Sequence, residues 1–209
     1  MTNQTTLYSK KLFFLFVLCW LSSSGVYAQS APSELAGFNA ERLCISRVGM
    51  AVLGSWAVGN LGLGALRVGQ VEGEDKYFHQ MNMYWNAVNL TLASFGYYSA
   101  ATTDDSTLST FASLQAHYST EKILLFNAGL DVAYVMGGLY LLERGNNREA
   151  GSNRDQFRGF GHSVIVQGVF LLLFDVALYL VQHHHLKHAR ALFEHLTLTG
   201  NSAGIIVRF

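Results

Sequence analysis

Two aspartates stand where an ionised side chain has the least support. Asp131 lies at the centre of residues 121–144, EKILLFNAGLDVAYVMGGLYLLER, and Asp175 lies in the apolar run 159–182. Hydrocarbon does not solvate a carboxylate, so an acid placed there holds its proton, binds a cation or reaches water. No lysine or arginine lies beside either of them at that depth. The chemistry open to such a pair is proton or cation binding. The structural alternative is a protonated or amide-bonded acid that ties helices together.

Helical spacing supplies companions for both. At 1.5 Å per residue, Asp131 lies about 13 Å along its helix from Lys122, and Asp175 about 10 Å from Gln182. Antiparallel helices would bring the two carboxyls to a similar depth, with Asn60 and Asn89 near the same level. Asn127 and Tyr134 share a face with Asp131, and Gln167 and Tyr179 share one with Asp175. Residues His79, Asn82, Asn86, Asn89, Ala93 and Gly96 follow the 3–4 spacing of a single helical face. Three asparagines facing lipid would each leave amide groups unsatisfied, so this face is expected to point at other helices. The candidate intramembrane layer is therefore Asp131, Asp175, Asn60, Asn86, Asn89, Asn127, Tyr134, Gln167 and Tyr179.

Histidines form a second constellation, in QHHHLKHARALFEHL. His184 and His188 stand at i,i+4, a common spacing for metal ligands. The structural alternative is an interfacial helix end, where partly charged imidazoles suit the last turn. His79 and His162 share one membrane boundary and are the pair a haem would need. Neither set is complete in ligand type, and no cofactor is expected.

These side chains need long apolar helices to position them. Of the 209 residues, 50% are hydrophobic and 13% are charged. The charged fraction is about half that of an average soluble domain. The apolar residues fall into four blocks, which predicts an all-α polytopic membrane protein: a four-helix transmembrane bundle at 29–200, with spans at about 48–66, 79–101, 123–142 and 159–182. Residues 29–47 read as a polar lead. Within 102–120, Leu108, Phe111, Leu114 and Tyr118 predict a short amphipathic helix at the surface. The stripe Leu186, Ala189, Phe193 and Leu196 predicts that the fourth helix continues as an amphipathic extension over about 183–199, before a tail at 201–209. Ala51, Ser55 and Gly59, and again Gly129, Ala133 and Gly137, make small-residue faces at spacing four. Such faces let a helix approach closely, within the bundle or from a second copy or another membrane protein.

Residues 1–28 have the plan of a secretory signal peptide, with Lys10 and Lys11, the apolar run 12–21 and a small-residue end at Val26-Tyr27-Ala28. Its removal would set the mature N-terminus outside a bacterial inner membrane. The loops at 67–78 and 143–158 would then lie inside, with six Lys and Arg between them against one, Lys122, in the loop at 102–122. The C-terminus would also lie outside.

Several function classes are excluded. Fourteen acids balance fourteen bases, so no basic field invites nucleic acid. The glycine runs lack the Lys-Ser/Thr of a phosphate loop, and G-x-S-x-G, H-E-x-x-H and C-x-x-C are absent. Blocks of this length are helices, so the terminal Phe209 does not indicate an outer-membrane barrel.

The segments SRVGMAVLGSWAVGN, GEDKYFHQMNMYWNAVNL, EKILLFNAGLDVAYVMGGLYLLER and GFGHSVIVQGVFLLLFD together resemble a family of uncharacterised bacterial membrane proteins with four spans. The resemblance covers about residues 42–182. It implies a location in the bacterial envelope and brings no activity, cofactor or catalytic residue. The expectation is an integral membrane protein without enzymatic activity and with a polar interior. The alternatives are a proton- or cation-coupled transport or channel component using Asp131 and Asp175, and a metal- or haem-binding subunit.

Overall fold

A computed structural model describes residues 31–147, 151, 153–189, 193, 196–199 and 202–205. The expected signal peptide lies outside the described residues. Four long helices make up most of the remainder: α1 (Ala31–Arg67), α2 (Gly73–Thr102), α3 (Thr110–Asn146) and α4 (Arg154–His188). The described residues are all-α except for one short hairpin, in which β1 (Leu196–Thr199) pairs antiparallel with β2 (Ser202–Ile205).

The helices run past the apolar blocks that define the spans. At 37 residues, α1 and α3 are each about 55 Å long, against roughly 30 Å of hydrocarbon. The polar lead is therefore the first part of α1, and the expected surface helix at 102–120 is the first turns of α3. The Ser109 side chain caps α3 by accepting from the Ala112 amide at 3.3 Å. Gly73, at φ +58°, lets the chain turn into α2 from the short connection after α1. The described part of α4 ends at His188, and within the expected extension Leu196–Thr199 is a strand. Thr197 and Thr199 are β-branched, which suits a strand.

What faces outward identifies the solvent. Val52, Val58, Leu63, Leu92, Phe95, Phe126, Met136, Tyr140 and Leu173 are exposed. The fully buried larger side chains are His117, Gln167, Gln182, Asn39, Asn82, Asn86, Ser113 and Ser163, all of them polar. A bundle in water would bury the first set and expose the second. Three helices, α1, α3 and α4, are long and apolar enough to cross a membrane. The second predicted span, 79–101, does not meet that measure. Its buried face is Asn82, Asn86, Asn89 and Ala93, and three amides dilute the hydropathy of α2.

Packing follows glycine. Helix α4 lies along both α3 and α2, and α1 lies along α2. The α3–α4 seam has a seven-residue repeat: His117, Leu124, Asp131, Gly138 and Gly145 on α3, and Gly161, Gly168, Asp175 and Gln182 on α4 are all buried. A Cβ at Gly161 would lie 2.8 Å from the Gly138 carbonyl oxygen, and one at Gly168 would lie 3.1 Å from that of Asp131. The backbones meet there because no side chain intervenes. The small-residue faces anticipated for this purpose point elsewhere: Ala51, Ser55, Gly59, Gly129, Ala133 and Gly137 are exposed. A one-residue shift from Gly137 to Gly138 turns the contact face by about 100°.

A polar interior and its histidine end

Asp131 and Asp175 face one another across the α3–α4 seam, close enough for their carboxyls to interact. Each Cα–Cβ bond tilts toward its own helix N-terminus, so on antiparallel helices the two side chains lean toward one another. Two carboxylates placed this close repel, so a bond between them would need one proton held between them. Both residues are buried, and Asp131 Oδ2 has no protein partner.

A second polar group lies where α1, α2 and α4 meet. The Trp56 indole donates to Gln167 Oε1 at 3.0 Å, and Gln167 Nε2 donates to Asn82 Oδ1 at 2.5 Å. Asn82 Nδ2 donates to Asn60 Oδ1 at 3.0 Å, and Asn86 Nδ2 to Asn82 Oδ1 at 3.2 Å. Asn60 returns a bond to the Trp56 carbonyl at 2.9 Å. Each amide satisfies another, so three helices interlock without charge. Asn86 Oδ1 and Asn89 Nδ2, buried one and two turns further along α2, have no protein partner.

The other predicted residues take separate places. Asn127 is half-buried one turn from Asp131. The half-buried Tyr134 ring meets Trp85 edge-on at 4.8 Å, joining α3 to α2. Tyr179 stacks on His183 at 5.5 Å, one turn of α4 from Asp175. His184 and His188 have their rings 4.2 Å apart, and His188 Nδ1 lies 3.0 Å from the His184 carbonyl. Among the described residues, no group of three or more His, Cys, Asp or Glu is placed to hold a metal ion. His79 is half-buried, while exposed His162 meets Glu74 at 2.7 Å beside the Arg158–Glu74 pair at 2.6 Å.

The largest polar cluster was not among the predicted sites. It forms where α1 and α3 begin and α4 ends, beyond the apolar spans. Glu121, 6% exposed, receives two imidazoles on one oxygen: His117 Nε2 at 3.3 Å and His183 Nδ1 at 3.0 Å. His185 stacks on Phe38 at 4.6 Å, and its Nε2 lies 3.1 Å from the Phe38 carbonyl. Arg42 pairs with Asp105, and Asn39 donates to Ser113 Oγ at 2.8 Å. Gln182 donates to Ser46 Oγ and to the Arg42 carbonyl, each at 3.2 Å. Burial pushes the imidazoles of His117 and His185 below their ordinary value, against the opposing pull of Glu121 on the first and Glu41 on the second. Asp104, fully exposed, is held below the usual carboxylate range by its bonds to Ser106. The signal in the sequence was Ser113, His117 and Glu121 at spacing four. It is visible only once 110–122 is read as one helix with the span that follows.

Among known proteins, the model of a family of unknown function, DUF6992, matches residues 52–176, more than half of the chain. No curated protein and no solved structure matches.

Proposed function

The chain belongs to DUF6992, whose function is unknown, and we propose that it is a multi-pass protein of the bacterial inner membrane that binds and releases a proton at Asp131 and Asp175. In this role it serves as a proton-coupled transport or channel component. The contact between the two carboxyls carries the reading. A pair sharing one proton is poised to gain a second or lose the first, and no Lys or Arg within the spans locks it in the ionised form. The unpartnered Asp131 Oδ2, Asn86 Oδ1 and Asn89 Nδ2 support it further, because buried polar atoms of this kind take water as a partner and water carries protons. Helix α2 crosses with the others in this reading: its 30 residues are about 45 Å long, and its amides face α1 and α4 rather than lipid.

The test is proton flux into proteoliposomes loaded with a pH-sensitive dye under an imposed potential. Asp131→Asn and Asp175→Asn are each expected to lower flux at least about tenfold, the scale of a lost proton-transfer group. Their unfolding midpoints in detergent control for structure. Wild-type flux in both variants, with a lowered midpoint, would leave the pair a helix tie only.

A further inference from the structure

We propose that Glu121, His117 and His183 form the port through which protons pass between water and the bundle interior. This rests on the proton-binding reading of Asp131 and Asp175. The three side chains are graded in exposure. The His183 side chain is 37% exposed, that of Glu121 8% and that of His117 0%. Each neighbouring pair is joined through Glu121 Oε1. The sequence of contacts thus runs from water to a fully enclosed imidazole, whose Nδ1 is buried without a partner.

The transfers balance as simple proton moves. A proton arriving at Nε2 of a neutral His183 makes the imidazolium, which gives its Nδ1 proton to the Glu121 carboxylate. Glu121, now a neutral acid, passes a proton to Nε2 of His117 and is again a carboxylate, while the His117 imidazolium releases its buried Nδ1 proton inward, through water, to the carboxyl pair. The groups around this relay keep it from being a trap. Arg42 is neutralised by Asp105, and the His185 ring stands 6.1 Å from that of His117 while His185 Nδ1 faces Glu41 at 3.6 Å. The burial of His117 and the second imidazole beside it discourage a proton from resting there. Tyr179 stands between this end and the inner pair: its ring lies against His183, and its helical position is one turn from Asp175. On α3, His117, Leu124 and Asp131 occupy one seven-residue row.

The experiment is a pH jump on the full-length protein in lipid nanodiscs, followed by time-resolved infrared absorption of carboxyl groups. The carboxylic acid band that Asp131→Asn and Asp175→Asn abolish reports the inner pair. Glu121→Gln and His183→Gln are expected to slow its response by about a hundredfold, the scale of a lost acid–base group, while its final amplitude stays unchanged. Glu121→Asp is expected to recover much of the rate. His183→Gln alters a side chain partly in water and carries the test if Glu121→Gln does not fold. A wild-type rate in His183→Gln would overturn the port with the inner site intact. A wild-type protein with no titrating band lost in the two aspartate variants would overturn the inner site, and the port with it.

Discussion

A residue in this bundle is judged by what its removal leaves behind. Gln167 is fully buried and serves two partners, accepting from the Trp56 indole and donating to Asn82. Gln167→Leu would keep the volume and strand both partners in a medium with no water. Bonds of this kind between membrane helices contribute modestly, so the two together predict a loss of about 1–2 kcal/mol, read as a lower unfolding midpoint in detergent. An unchanged midpoint would mean that water takes over both bonds. Asp131 is different: the side chain facing it is another acid, so its removal relieves a constraint as well as breaking a contact.

At the scale of elements, the α3–α4 seam decides whether the carboxyl pair exists. The glycines at 138, 161 and 168 bring backbone to backbone, and the obstacles around a new side chain are main-chain atoms that cannot swing aside. Gly168→Val is expected to cost about 1–3 kcal/mol by overpacking and to abolish proton flux by displacing Asp131. Gly129→Val adds the same atoms to an open face and is expected to change stability by less than about 0.5 kcal/mol and flux not at all. Equal effects of the two, measured side by side, would contradict the assignment of the seam.

For the whole molecule, helix length exceeds membrane thickness, and the excess is gathered at the histidine end. There α1, α3 and α4 extend beyond the apolar spans and bury Asn39, Arg42, Ser113, His117 and Glu121 against one another. Cys44 is a free, exposed thiol on this end of α1. In a Cys19→Ser background, a membrane-impermeant maleimide is expected to label Cys44 on intact spheroplasts. Labelling only after lysis would invert the orientation and put the proton port on the cytoplasmic side.

Much of this was legible in the residues. Apolar blocks of about twenty residues impose helices, and an acid or a row of asparagines in such a block must turn inward, because hydrocarbon offers no hydrogen bonds. That reasoning needs only composition and the 3.6-residue period. It selected Asp131 and Asp175, and Asn86 and Asn89 on the face where α2 buries its amides. Spacing four recurs on more than one side of a glycine-rich helix, so the sequence did not say which small-residue face the bundle itself covers. The histidine end depended on tertiary structure. His117, Glu121 and His183 lie as much as 66 positions apart, on two different helices, and only the antiparallel packing of α3 and α4 brings them to one oxygen atom. Local sequence determines which side chains lipid rejects; which of those meet is decided by the seam, because a contact between helices depends on register and close approach that no single helix encodes.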